Sequence, residues 1–344
     1  MRDTKRSRII RALKQLVLTS GSGVSRSAVA QALNIDLRTA AGYLEQLTAE
    51  GLLKVDTVPP EGGRGRPVML YRSNASELLF LGLQVISTSE VSAVGIDDCG
   101  RILGTEKLHL PPDSSRLSLF AVILELVKKF DGLAGKKLYS VGLAISRWLQ
   151  PPLAGEDVFA NLADYIEREC AVSVWRDVNI NAVAFNLARQ YECGNLAVVH
   201  LGKVIEFGWV HNGIPDSDFR SREAWLSHIC VNPDGRRCYC GKYGCLENYV
   251  TSGARSERLK KNPPAVLLPL LGNMLGLAMS RLVRKYPVEM IILLGGEDLF
   301  PVTETAFVRY GSGGVKLKCK RSAPAVDYSA AQEALYWSLH FFAE

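Results

Sequence analysis

The chain has 344 residues, of which 47% are hydrophobic and 22% charged. This globular composition argues against disorder over most of the chain, and the length suggests about two or three domains. The sequence has neither a run of ~18 apolar residues nor the apolar core of a signal peptide near its start. We therefore expect a cytoplasmic protein with no membrane span.

The positive charge is concentrated at one end of the chain. Residues 1–75 hold 12 Lys/Arg and 6 Asp/Glu, whereas the remainder holds 29 of each. The whole net charge of +6 therefore lies on the first fifth of the sequence. Such an asymmetry is typical of a nucleic-acid-binding module joined to a neutral domain.

Residues 1–75 have the pattern of three helices followed by a hairpin. Apolar side chains between 4 and 19 recur at helical spacing, and Ser25 and Asp36 are good N-caps for two further helices. Asn34 ends the second helix and Gly51 closes the third. Strands are predicted at 52–58 and 68–71, joined by a Gly/Arg/Pro-rich loop. The pattern predicts a winged helix-turn-helix domain.

Several side chains of this domain are candidates for DNA contacts. Arg38, Thr39 and Tyr43 lie in the first two turns of the third helix, which would enter the major groove. Arg64 and Arg66 alternate with glycines in the wing, where an extended basic loop can enter a minor groove. The alternative is a winged domain for protein contacts with an ordinary solvated loop.

Residues 76–344 are predicted to form a two-lobed α/β domain. The same pattern occurs twice in them: consecutive strands, followed by alternating helices and strands. The predicted strands are 79–86, 91–96, 102–110, 139–145, 172–177, 196–201, 205–211 and 290–294, and the predicted helices are 117–129, 181–191, 268–285 and 329–342.

One His and three Cys have the spacing of a metal site. They are His228, Cys238, Cys240 and Cys245. Imidazole and thiolate donors suit tetrahedral zinc, and four protein ligands imply a structural ion without an open catalytic position. Cys230 is a competing ligand by sequence position, and reduced cysteines in a loop are the alternative to a metal.

The segment from Cys238 to Glu247, with His228 ten positions upstream, resembles the signature of the ROK family of sugar kinases and repressors. The resemblance extends over essentially the whole chain, and a winged helix ending in Gly-Arg-Gly-Arg-Pro resembles the repressor branch. It implies an actin-like, ribonuclease H-like two-lobed fold of the sugar-kinase type, a structural zinc, and a homodimer or tetramer.

The phosphate-binding motifs of the kinases in this family are altered here. The Asp-x-Gly-Gly-Thr loop corresponds to residues 84–88, which begin with Gln84 and lack both glycines. The second glycine-rich turn, residues 202–208, carries Ile205, Glu206 and Phe207, which block close approach of phosphates. Only a glycine pair at 295–296 remains, and such a pair is common at strand ends. We therefore predict no kinase activity.

The sugar site implied by the resemblance is partly kept. Asp177 matches the Asp of the family's Asn-Asp-x-Asn motif, although a two-residue shift would place Asn179 there. Glu247 and His228 match sugar-contacting positions, whereas Trp225 stands where the family has a glutamate. A sugar-like ligand, a different small ligand and no ligand all remain open, and Asp177 and Glu247 could instead be structural.

Together these features predict a DNA-binding transcriptional regulator of ROK type, most simply a dimeric repressor on a palindromic double-stranded operator. Two alternatives are a sugar kinase fused to a DNA-binding module, and a regulator controlled by a protein partner. The predicted domains are residues 1–75 and 76–344.

Overall fold

The computed structural model describes residues 5–20, 23–59, 67–74, 78–87, 89–97, 101–111, 116–146, 158–215 and 226–320. These residues form an N-terminal helical module and two α/β lobes, as the sequence predicts. The predicted helix at 329–342 and the wing tip lie outside the described residues.

The N-terminal module consists of three helices and a small antiparallel sheet. Its elements are α1 (Lys5–Thr19), β1 (Val24–Ser25), α2 (Arg26–Leu33), α3 (Leu37–Ala49), β2 (Leu53–Val58) and β3 (Val68–Ser73). Strand β3 lies between β1 and β2. The predicted helices and hairpin are confirmed, whereas β1 was not predicted because two residues carry no periodicity. Apolar side chains of all three helices form the core of the module.

The two lobes share one strand order. Lobe 1 contains β4 (Leu78–Ser87), β5 (Glu90–Ile96), β6 (Ile102–His109), β7 (Lys137–Ile145) and β8 (Ser173–Val178). Lobe 2 contains β9 (Leu196–Leu201), β10 (Ile205–His211), β11 (Ile214–Pro215), β12 (Met290–Leu294) and β13 (Lys316–Lys320). In each lobe three antiparallel strands precede two parallel ones, in the orders β6-β5-β4-β7-β8 and β11-β10-β9-β12-β13. The pattern of strands and helices that the sequence predicts to occur twice thus corresponds to two sheets with the same topology.

Helices cover both sheets. They are α4 (Arg116–Phe130), α5 (Val158–Cys170), α6 (Asn179–Gln190), α7 (Glu247–Val250), α8 (Ser252–Leu259), α9 (Pro264–Lys285) and α10 (Phe300–Tyr310). Six of the helices and strands of the lobes were not predicted from the sequence, namely α5, α7, α8, α10, β11 and β13, and the predicted start of α9 was 268. Helix α9 begins four residues earlier, because Pro264 at the first helical position is preorganised for a helix.

Helix α6 joins the two lobes. It follows β8 of lobe 1 directly, and its buried face packs against lobe 2 residues such as Leu196 and Ile292. Ala144 of β7 belongs to the same apolar cluster. The face of the lobe 1 sheet that carries Ala144 therefore lies toward the junction of the lobes.

Helix α9 has 22 residues and is apolar enough, by length and composition alone, to cross a membrane. Half of its most apolar stretch is buried inside lobe 2, where Leu271, Leu275 and Met279 contribute to the core. It is a half-buried core helix.

Candidate functional site

Helices α2 and α3 form a tightly capped helix-turn-helix. The Ser25 hydroxyl accepts a hydrogen bond from the Ala28 amide at 3.1 Å, and Asn34 ends α2 in the left-handed conformation. The Asp36 carboxylate then accepts from the amide of Thr39 at 2.8 Å and from its hydroxyl at 2.6 Å. These hydrogen bonds lower the pKa of Asp36, so the cap is charged at neutral pH. Local capping therefore sets where α3 begins.

The three predicted DNA-reading residues of α3 differ in their surroundings. Arg38 is exposed. The Thr39 hydroxyl donates to Asp36, and Tyr43 is half-buried against the module core. Arg38 is therefore the most available of the three side chains for a base edge. Arg64 and Arg66 lie outside the described residues.

The four predicted metal ligands converge. One donor atom from each of His228, Cys238, Cys240 and Cys245 lies within 4.8 Å of the others. The Cys238 Sγ is 3.5 Å from the His228 Nδ1, and the Cys240 Sγ is 3.6 Å from the Cys245 Sγ. Tetrahedral zinc with Zn–S bonds of ~2.3 Å separates its sulfurs by roughly 3.7 Å, so these separations fit the ion.

Backbone turns bring these donors together. An isolated bridge pairs Arg237 with Tyr243, and Gly241 within this loop has a φ of +89°. Gly244 also has a positive φ, and its Cα lies so close to the Asn232 carbonyl that a Cβ would overlap it. The glycines of the motif are therefore required by the path of the chain around the ion.

Burial makes two of the three thiols of the cluster unfavourable as thiolates unless a cation is present, whereas at Cys240 desolvation is outweighed by hydrogen bonds and by Lys242, which lower the pKa of that thiol. Burial, together with the neighbouring thiol of Cys240, raises the pKa of Cys245 to about 12. Burial likewise raises the pKa of Cys238. A coordinated cation removes this cost, because the thiolate is the ligand form of cysteine. Cys230 is exposed and does not belong to the cluster, which answers the question that the sequence left open.

The structure describes the side chains of only two of the predicted sugar-site residues, Glu247 and His228. Glu247 is 6% exposed, and its Oε2 accepts a hydrogen bond from the Ile205 amide at 3.1 Å. It thereby holds the start of β10. The side chains of Asp177 and Trp225 lie outside the described part of the chain. His228 belongs to the metal cluster.

A row of residues crosses the lobe 1 sheet near the carboxyl ends of its parallel strands. Gln84 pairs with Ala144, which pairs with Asp177. Gln84 is 3% exposed, and its Oε1 has no hydrogen-bond donor among the described residues. Just beyond, the Asn179 side-chain amide lies 2.7 Å from the Ser146 hydroxyl. The described polar side chains of this region, Gln84, Ser146 and Asn179, are uncharged, and the side chain of Asp177 lies outside the described part of the chain.

Side chains cover two turns that contain glycine, one at Gly202 and one at Gly296. The His200 Nδ1 lies 2.6 Å from the Glu206 Oε2, and the His200 ring covers Gly202 so closely that a Cβ there would lie 2.9 Å from the ring. The Arg255 guanidinium pairs with Asp298 at 2.7 Å. It also lies against Gly296, where a Cβ would be 2.6 Å from its Nη1. Neither His200 nor Arg255 was predicted from the sequence. Arg255 acts on residues about 40 positions away, and His200, although close in the chain to Gly202 and Glu206, belongs to no recognisable motif.

A family model described as the ROK family matches residues 86–267, more than half of the chain. The chain belongs to the ROK family. The cluster of His228, Cys238, Cys240 and Cys245 is the zinc site of this ROK protein.

Curated relatives of the ROK protein include a regulator and a kinase. It is 24% identical over 254 residues to the "DNA-binding transcriptional dual regulator NagC" of Escherichia coli K12, covering 69% of this chain and 61% of NagC. It is 27% identical over 183 residues to the N-acetyl-D-glucosamine kinase of Escherichia coli O6:H1, covering 46% of this chain and 59% of the kinase. The chain thus spans about three fifths of the length of either relative.

Solved structures support the fold. A ROK family transcriptional regulator described as a homologue of the E. coli MLC protein is 18% identical and superposes with a TM-score of 0.75, covering 97% of both chains. The ROK hexokinase from Thermus thermophilus is 19% identical with a TM-score of 0.63, covering 76% of this chain and 99% of the hexokinase. The whole-chain match includes the N-terminal module, whereas the hexokinase match leaves about a quarter of the chain uncovered.

Proposed function

We propose that this ROK protein is a DNA-binding transcriptional regulator that acts as a cytoplasmic repressor. Residues 1–75 are its DNA-binding domain and residues 76–344 its two-lobed regulatory domain. The observation that carries the proposal is the capped helix-turn-helix in the part of the chain that holds all the excess positive charge. Its similarity to NagC supports the same function.

In this proposal α3 enters the major groove of a palindromic operator. Arg38 reads a base edge, Thr39 and Tyr43 lie beside it, and Arg64 and Arg66 reach from the wing into the minor groove. A homodimer or tetramer would place two modules on the two half-sites.

Selection of genomic fragments by the purified protein at physiological salt tests this function. We expect one or a few strongly enriched palindromic sites. Arg38→Ala should lose about 1–3 kcal/mol of discrimination against random DNA. Arg309→Ala, which removes an exposed arginine on α10, is the matched control and should discriminate as the wild type does. Binding without any enriched site would contradict the regulator proposal.

We also propose that the two-lobed domain has no kinase activity. Gln84 replaces a carboxylate, and His200 and Arg255 lie where glycine-rich turns would otherwise be open to phosphates. Phosphoryl transfer depends on positioned phosphates and metal, so their loss removes the reaction. Sugar-dependent ATP turnover by zinc-replete protein, measured against a protein-free blank, should be absent. Turnover that requires both sugar and protein would favour the kinase alternative.

We propose that the two-lobed domain binds a sugar-like effector. Asp177, His228, Glu247 and Trp225 are the proposed contacts, and the remaining polar groups there would pair with hydroxyls. We expect one sugar or sugar derivative to raise the melting temperature and to weaken operator binding. If no sugar changes either property, a protein partner becomes the better candidate for the controlling signal.

A further inference from the structure

The first residue of α3 exposes an apolar side chain to solvent. Leu37 is 56% exposed. Among the side chains of the module's helices whose exposure the structure describes, it is the only large apolar one so exposed. It lies beside the exposed Arg38, at the start of the helix proposed to read DNA.

The exposed face of α3 one turn beyond Arg38 carries no side chain. Gly42 is exposed at this position, and nothing lies within 4 Å of the position that a Cβ would take there. Packing therefore does not require this glycine, although glycine is among the least favourable residues inside a helix. A glycine without a packing role on an exposed helix face fits a surface that another molecule approaches closely.

Two acidic groups, one at the start of α3 and one further along it, are both engaged: the Asp36 carboxylate caps the helix, and Glu45 has a counter-charge. Glu45 pairs with Arg26 at 2.7 Å, and the Arg26 Nε donates to the Tyr71 hydroxyl at 2.8 Å. Tyr71 is only 1% exposed, so the arginine is anchored to the core of the module. The Glu45 carboxylate therefore already has a counter-charge, Arg26, when α3 approaches a polyanion.

Resting on the proposed DNA-binding function, we propose that Leu37 packs against the C5-methyl group of a thymine in each operator half-site. The thymine methyl is the one apolar group that bases present in the major groove, and an exposed leucine beside an arginine matches it. Gly42 lets the helix backbone lie close enough for this contact. Leu37 is thus a specificity-determining residue, and thymine is the base it recognises.

Replacing thymine by deoxyuridine tests the contact, since it removes only the methyl group. Each thymine of the selected operator is replaced in turn, and the affinity of the full-length protein is measured. At one thymine per half-site we expect about a four-fold loss, as for a methyl group leaving an apolar contact. Leu37→Ala should bind the thymine and deoxyuridine operators equally well. Leu270→Ala, which removes a leucine 51% exposed on α9, should retain the wild-type difference.

Gly42→Ala gives a second readout. The added methyl group meets no atom of the protein, so we expect a higher melting temperature through helix propensity and a lower affinity for the operator. A purely structural role for this face would raise stability without loss of affinity.

The outcomes separate the two proposals. Specific binding that is unchanged by deoxyuridine at every position overturns the role of Leu37 and leaves the regulator proposal intact. Failure to enrich any operator overturns the regulator proposal itself.

Discussion

At the scale of single residues, the metal centre distinguishes cysteines that are close together in the sequence. Cys240 supplies a donor to the cluster, whereas Cys230, only two positions from His228, is exposed and outside it. Cys230 instead pairs through its backbone with Cys245. Side-chain direction, rather than proximity in the chain, decides which thiol is a ligand.

Cys240→Ser should therefore release zinc and destabilise lobe 2, because the energy of metal binding contributes to folding. Cys230→Ser is the matched control, and should keep both its zinc and its melting temperature. Elemental analysis after dialysis and thermal unfolding provide the two measurements. Full zinc content in Cys240→Ser, or loss of zinc in Cys230→Ser, would contradict the ligand assignment.

At the scale of elements, helices α9 and α10 cross through small residues. A Cβ on Gly276 would lie 2.6 Å from the Ala306 Cβ and 2.8 Å from the Phe307 amide nitrogen. The backbone amide cannot move aside as a flexible side chain could. The close crossing therefore depends on glycine at this position.

Gly276→Ala should lower the free energy of unfolding by about 1–3 kcal/mol through overpacking. Gly253→Ala in α8 meets no atom within 4 Å, and should raise the free energy of unfolding by up to ~1 kcal/mol through helix propensity. Denaturant unfolding of the two variants compares the same glycine-to-alanine change at a crowded position and at an open one. Equal effects would show that packing at the crossing is not limiting.

At the scale of the whole molecule, the N-terminal module packs on lobe 1. Leu52 of the module contacts both the module core and an apolar cluster of lobe 1 that includes Phe80. Tyr139 of β7 packs on the same cluster, with its ring centroid 5.6 Å from that of Phe80. Phe80 and Gln84 belong to the same strand and the same sheet face, four residues apart. A short path thus joins the N-terminal module to the junction of the lobes.

A lysine near this contact predicts a pH dependence of stability. Burial lowers the pKa of Lys14 in α1 from 10.5 to about 7, although Glu50 partly opposes the shift. Between these two pH values the unfolded chain binds a proton that the folded chain does not. The contribution of Lys14 to the free energy of unfolding therefore increases as the pH rises from about 7 to 10.5. Below pH 7 this contribution does not change with pH.

Lys14→Met keeps the aliphatic chain and removes the charge. The variant should be more stable than the wild type at pH 7, and this difference should shrink as the pH rises toward 10.5. Urea unfolding of both zinc-loaded proteins across this range measures the difference. Parallel curves would contradict the lowered pKa of Lys14.

The sequence by itself determined the features whose partners are close along the chain. Ser25 and Asp36 cap helices through amides three residues away, and the zinc motif lies within 18 residues, from His228 to Cys245. The alternation of apolar residues also sufficed for most strands and for the repeated α/β pattern. In each case the stabilising interaction is local, so residue type and spacing specify it.

Only the tertiary structure decided the contacts between distant segments. Glu247 holds the amide of Ile205, 42 residues away, and Arg255 covers Gly296. The contact between Leu52 and lobe 1 and the exposure of Leu37 likewise became visible only in the folded chain. These features depend on how helices and sheets pack against one another. Because that packing brings together residues with no regular spacing in the chain, no local pattern encodes it.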